Sequence, residues 1–233
     1  ESNDKKRYFE IKKNQYAKPQ TVFHLTGTTN DTLLYLLEKH SPEMIQMIKE
    51  GEIQANQKIN KESLLNPKII ENKFHIRLDV PSDFEYAVQK PRFIWLKKEI
   101  VSGSMSLLLY QVPLNTIKTK NPIASIIRMR DSIGKLYIKG GEAQTPMITG
   151  EGYAPYLFKI KLDNRTTFES KGTWELKNDF MSGPFINYVI FDKEYNRIMV
   201  LEGFCYSPAD EKRDVMFELE SIIKSVQIIK RRK

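Results

Sequence analysis

The chain has 233 residues, 40% hydrophobic and 28% charged, with Lys+Arg 37 against Asp+Glu 29 and a formal net charge of +8. That is enough apolar sequence to bury a core in one large domain or two small ones, and it excludes a disordered or fibrous chain. The basic excess is spread along the sequence, with tight runs only at Lys5-Lys6-Arg7 and Lys230 to Lys233, so it reads as solvated tails and not as a nucleic-acid surface.

Residues 7–13 and 20–26 alternate as two short strands around Tyr16-Ala17-Lys18-Pro19. Thr28-Thr29-Asn30 offers capping side chains to a helix carrying Leu33, Leu34 and Leu37. Ser41-Pro42-Glu43 predicts a restart, since Ser caps and Pro is tolerated at the first helical position. Residues 52–71 read as partly helical, broken near Asn66-Pro67. From Phe74 the period changes to two. Strands are expected at 74–80, 84–89, 92–101 and 104–112, then a helix from Asn121-Pro122 to about Tyr137. Gly140-Gly141, Gly150 and Gly152 mark a flexible loop that lacks the ordered glycines and Lys-Ser/Thr of a phosphate loop. Strands return at 156–163 and 166–177.

The clearest hairpin is 185–206, joined by the five residues Asp192 to Asn196. On its second strand Met199, Leu201, Gly203 and Cys205 share one face; Ile198, Val200, Glu202, Phe204 and Tyr206 share the other. Both faces are mostly apolar, so helices must cover both. The helices at about 122–137 and 208–227 are the natural covers. The expected fold is therefore α+β: a largely antiparallel sheet with helices on both faces over residues 71–233, beside a smaller α/β unit over residues 1–70.

Little in the sequence looks reactive. His24, His40 and His75 have no metal-ligand spacing, and the lone Cys205 sits among apolar neighbours as a buried, inert thiol that can form no intramolecular disulfide. No pattern calls for a cofactor or metal, and no residue takes a catalytic role. Arg128, Arg130 and Asp131 on one helix could form an anion site, but a solvated face with a local ion pair is the favoured reading. Glu202 stands out, because a carboxylate on an apolar face must be paired or protonated. As a functional group it would be a general acid or base. As a structural one it would pair with a basic residue of a covering helix: Arg130, Arg128 or Arg213. The second is favoured, since no other carboxylate is placed to complete an acid–base pair. No apolar run approaches the roughly 18–20 residues of a membrane helix. Glu1 to Arg7 is polar, so no signal peptide opens the sequence and its start reads as a processed end.

Residues 170–226 carry a long specific run: Trp174, Asn178-Asp179-Phe180-Met181, Gly183-Pro184-Phe185, Arg197, Glu202-Gly203-Phe204, Tyr206, Pro208 and Lys212-Arg213. With Ala17-Lys18-Pro19-Gln20 and Arg130-Asp131, it resembles a Bacteroidetes lipoprotein family known as a domain of unknown function (DUF4837-like). Tyr16, Cys205 and Ser207 stand where that family often has Trp, Val and Ala. The resemblance implies a lipid-anchored location in the cell envelope, in the periplasm or at the outer membrane. The anchor and a further strand–helix region would precede this chain, leaving the first unit incomplete. From about residue 71 the order of elements also resembles the PsbP-like sandwich, whose members are mostly accessory binding modules. The expected function is a non-enzymatic binding or assembly module with an envelope protein as partner; the alternative is a hydrolase-like enzyme around Glu202 and Asp179. Met181-Ser182-Gly183-Pro184 reads as a turn, with Trp174, Phe180 and Phe185 as a core corner beside it. The O-glycosylation motif that the resemblance brings with it, Asp-Ser/Thr-apolar, occurs at Thr32 and at Ser132, with Thr32 ranked first.

Overall fold

The computed structural model describes residues 8–140 and 145–231. The run Lys5-Lys6-Arg7, Gly141 and the last two residues of the basic C-terminus lie outside the described residues. The chain divides into two compact units, residues 1–55 and 56–233.

In the first unit, strands β1 (Tyr8–Lys13) and β2 (Thr21–Thr26) pair antiparallel with Tyr8 opposite Thr26. Helix α1 (Asn30–Asn60) begins where the Thr29 hydroxyl accepts the backbone N–H of Thr32 at 3.2 Å. The expected restart at Ser41-Pro42 does not occur, because Pro42 lies inside this helix. Proline has no N–H to give the carbonyl four residues earlier. Here the Ser41 hydroxyl donates to that carbonyl, Glu38 O, at 3.1 Å, so the turn loses no partner and the helix continues.

The second unit opens with α2 (Lys68–Phe74), β3 (Ile76–Arg77), β4 (Glu85–Lys90), β5 (Phe93–Ile100) and β6 (Gly103–Val112). Helix α3 (Pro122–Tyr137) follows, capped by the Asn121 side chain, which accepts the Ala124 N–H at 3.2 Å. Then come β7 (Lys139–Gly140), β8 (Thr145–Thr149), β9 (Tyr156–Leu162), β10 (Arg165–Leu176), β11 (Ser182–Asp192), β12 (Arg197–Tyr206), α4 (Arg213–Lys224) and β13 (Gln227–Ile228). The main sheet is antiparallel in the order β4-β5-β6-β12-β11-β10-β8-β7, with β9 also on β10. β3 pairs separately with β13.

The two-faced reading of β12 holds. Met199, Leu201 and Cys205 join Leu219, Ile222 and Ile223 of α4 in one core. Ile198, Val200 and Phe204 join Ile126 and Met129 of α3 in the other. Burying each such large side chain contributes about 1.5–3 kcal/mol.

Four expectations are corrected. Phe74, Ile76, Leu78 and Val80 are buried alternately, but only Ile76–Arg77 is a strand. Phe74 ends α2, and His75 takes a left-handed conformation (φ 50°). The Gly-bearing loop contains a strand, β8, held against β10 with Thr149 opposite Trp174. The last helix starts at Arg213, not near Pro208: the Ser207 hydroxyl, which would have capped it, is bonded to the Ser102 hydroxyl at 2.9 Å. The turn before the hairpin is at Lys177 to Met181, with Asn178 left-handed (φ 61°), and Ser182, Gly183 and Pro184 already lie in β11.

Candidate functional site: the buried Glu202–Arg130 network and its cleft

Glu202 sits mid-strand on the face that α3 covers, and Arg130 comes down from α3 onto it. The two are 1% and 2% exposed. Nε and Nη2 of Arg130 donate to Oε2 and Oε1 of Glu202 at 2.9 and 2.7 Å, a bidentate fork. Asn187, directly across on β11, donates Nδ2 to Oε2 at 2.7 Å. The Arg130 guanidinium stacks on Phe185, with Cζ 3.4 Å from the ring centroid. Its Nη1 donates to the Thr149 hydroxyl. That hydroxyl and the Thr149 backbone N–H both donate to Asp131 Oδ1 at 2.8 Å. A carboxylate in an apolar layer is thus neutralised by one guanidinium and hydrogen-bonded at both oxygens, as burial demands.

The solvated face expected on α3 is therefore wrong for Arg130, which turns to the sheet because the sheet carries its counter-charge. Arg128 is exposed. Arg213, the third candidate partner of Glu202, pairs with Asp214 at 3.0 Å and lies over Phe217. Near the pair, burial pushes the Tyr110 hydroxyl well above its ordinary pKa, and the Glu202 charge adds to the shift.

Two glycines set the distances. A Cβ on Gly134 of α3 would stand 2.1 Å from Met147 O, so only glycine lets α3 lie this close to β8 and brings Thr149 to Arg130 and Asp131. A Cβ on Gly183 would stand 2.1 Å from Cys205 O, the carbonyl to which the Trp174 indole donates at 3.1 Å. Trp174 is buried edge-on to Phe204, 5.4 Å between centroids. This is the expected core corner, made by Trp174 and Phe185 without Phe180, whose ring is fully exposed. Burial pushes the Cys205 thiol up to about 11, with Lys212 opposing.

The other signature residues lie elsewhere. Asp179 is exposed in the β10–β11 turn, where its Oδ1 accepts the Met181 N–H at 3.2 Å. It does not join Glu202, so the acid–base pair of the hydrolase-like alternative is not assembled. Pro184 lies opposite Thr173 on β10, and Tyr206 ends β12 opposite Ser104. Arg197 is buried at the turn end of the hairpin, its Nε donating to Asp192 Oδ2 at 2.9 Å. Ser132 is exposed with its hydroxyl on Arg128 O, while Thr32 is half-buried against Thr29. Among the described residues no His/Cys/Asp/Glu group is placed to hold a metal ion, and no helix is long and apolar enough to cross a membrane. His24 bonds Gln15 at 2.8 Å, and His40 stacks on Phe9.

Sequence reasoning missed Asn187 and Thr149. Asn187 was hidden by the loop length: the expected five-residue loop would put Ile186 opposite Glu202, whereas Asp192 is the last residue of β11 and pairs with Arg197, which brings Asn187 there instead. Thr149 had no signal, because its strand lies in a Gly-bearing stretch. Beside the network a cleft of about 500 Å³ is lined by Ile127, Asp131, Thr149, Glu151, Tyr153 and Lys177, among others.

Residues 63–225, which contain the whole network and its cleft, match the family model described as Domain of unknown function (DUF4837). The chain belongs to the DUF4837 family. Residues 1–61 match a second model, described as Domain of unknown function (DUF8532). No curated protein matches the sequence. Among solved structures, the Ran-binding protein Mog1p of Saccharomyces cerevisiae is similar at 8% identity and a TM-score of 0.45, covering 67% of this chain and 91% of its own. LpqN of Mycobacterium tuberculosis, described as involved in cell envelope biogenesis, is similar at 11% identity and a TM-score of 0.37, covering 66% and 83%. Likenesses this distant carry no argument about the DUF4837 chain.

Proposed function

We propose that this DUF4837 protein is a non-enzymatic binding or assembly module of the bacterial cell envelope, with the cleft beside Thr149 as its recognition surface. The observation that carries this reading is how the ionisable groups under the cleft are spent. Both Glu202 oxygens are bonded inside the core, and Asp131 Oδ1 is held twice by Thr149. What remains at the cleft is the second Asp131 oxygen and an apolar wall (Ile127, Ile148, Pro155), with Glu151, Lys177 and the exposed Tyr153 at hand. An aromatic with a polar tip, flanked by one charge of each sign, suits recognition of a protein surface. The likeness of residues 170–226 to Bacteroidetes lipoproteins supports an envelope location and a lipid anchor as part of this reading.

The test is a photo-crosslinking amino acid at position 153 in the full-length protein in its native cells, with the same group at the exposed Val101 as control. A discrete adduct from position 153 alone, in the membrane fraction, is expected. Equal adducts from both positions, or none from 153, would overturn the assignment of the cleft.

A further inference from the structure

A second cavity, of about 410 Å³, opens at the turn end of the β11–β12 hairpin, lined by Lys73, His75, Arg92, Gln111, Tyr195 and Arg197 with Val112, Pro113 and Asn196. No carboxylate lines it. Arg197 has Asp192 as counter-ion, but neither Lys73 nor Arg92 has a carboxylate at ion-pair distance among the described residues. The Lys73 ammonium bonds a neutral group, Lys90 O, at 2.7 Å. The cavity wall therefore carries uncompensated positive charge.

Arg197 adds directed donors. It is 7% exposed and offers five N–H groups. Nε goes to Asp192, one hydrogen of Nη1 to Gln111 Oε1 at 2.8 Å, and one of Nη2 to Phe74 O. Two N–H groups of this fixed, buried guanidinium have no partner among the described residues, and Arg197 lines the cavity. The fixing is thorough: the guanidinium lies over Tyr195, Cζ 4.8 Å from the ring centroid. His75 stacks on the same ring at 4.9 Å, and Arg231 lies over it at 4.7 Å. The left-handed backbone at His75 ends α2 just after Lys73 and places the imidazole against that ring.

We propose that this cavity binds a phosphate-bearing ligand, with the spare Arg197 N–H groups as the directional contact and Lys73 and Arg92 as the charge that draws it in. A guanidinium fork with flanking cations matches a tetrahedral oxyanion, and the volume admits more than the phosphate alone. The site is separate from the Thr149 cleft, so either can fail without the other.

Two probes distinguish the source of the phosphate. Inorganic pyrophosphate is titrated calorimetrically into the full chain, and flotation is measured with phosphatidylcholine vesicles with and without phosphatidylglycerol. R92E changes an exposed residue of the site; K135E makes the same charge change on the exposed face of α3. Circular dichroism checks that both remain folded. Binding that weakens about tenfold or more in R92E and holds in K135E is expected, by the strength of charge-assisted hydrogen bonds. Pyrophosphate binding alone assigns a soluble phosphorylated ligand; binding only to vesicles with phosphatidylglycerol assigns a lipid headgroup. Equal losses in R92E and K135E, or no binding to either probe, would overturn the site.

Discussion

Replacing Glu202 by Gln is the sharpest test of the buried network. The change is nearly isosteric, so packing is kept while the charge is removed. Arg130, 2% exposed, then keeps its positive charge in an apolar layer with no counter-ion. Breaking one side of such a pair costs about 3–5 kcal/mol. The new amide N–H groups also face the donors of Arg130 or Asn187, which already point at this position at 2.7–2.9 Å. Against a typical stability of about 5–15 kcal/mol, the loss is a large fraction. Urea unfolding followed by tryptophan fluorescence reports on this unit alone, since both tryptophans, Trp95 and Trp174, lie in residues 56–233. The exposed pair Lys97–Glu99 supplies the control: E99Q is expected to change stability by about 0.5 kcal/mol or less. A cost below about 1 kcal/mol for E202Q would refute the reasoning, because a carboxylate that can be neutralised so cheaply is not the counter-ion of a buried guanidinium.

G134A is expected to destabilise the chain by about 1–3 kcal/mol or more, since its Cβ would meet the backbone of Met147 and no rotamer relieves that; G51A, in the open middle of α1, should instead stabilise by about 0.5–1 kcal/mol, both read by thermal unfolding. Glu220 supplies a pH dependence. Burial raises its pKa, but Lys224 and Lys171 outweigh that and hold it below the ordinary 4.5. Its stabilising effect is then fully present above the unfolded pKa and lost as pH falls through the lower folded one. The stability gap between wild type and E220Q should shrink on acidification below about pH 4.5, and a gap that widens there would contradict the assignment.

Most of the architecture was legible because it rests on periodicity. The β11–β12 hairpin, its two apolar faces and its two covering helices follow from alternation and length, and Glu202 betrays a buried pair by standing at an apolar position. Three kinds of feature were not legible. Pro42 looks like a helix start unless one knows that the Ser41 hydroxyl takes over the freed carbonyl. Ser207 looks like a cap, but a residue 105 positions away claims its hydroxyl. Thr149 sits in a stretch whose glycines suggest a loop, and its strand is held by pairing with β10. For Ser41 the partner lies three residues back, where the same Ser-Pro pair serves a helix start and a helix interior equally well; for Ser207 and Thr149 it lies outside the window that local pattern can see.

That distance also bears on why an ion pair occupies this core at all. Well-packed apolar residues often replace a buried pair with no loss, or with a gain of 1–4 kcal/mol by the usual order of magnitude, so stability alone does not explain it. The fork imposes something else. Apolar burial is non-directional, so it sets the register of a helix on a sheet through shape alone. Two parallel N–H···O bonds, a stacked ring and a third bond to Thr149 are satisfied together in only one register of α3 against β11, β12 and β8. Register matters here because Thr149 and Asp131 form part of the cleft wall. The double variant R130M/E202L separates these effects. Its unfolding free energy is expected within about 2 kcal/mol of wild type, far better than E202Q. Yet amide exchange at Thr149, whose N–H is given to Asp131, should accelerate several-fold, and a crosslinker at position 153 should lose its discrete adduct. A double variant as well protected at Thr149 as wild type, with crosslinking intact, would show that apolar packing alone holds α3 in register.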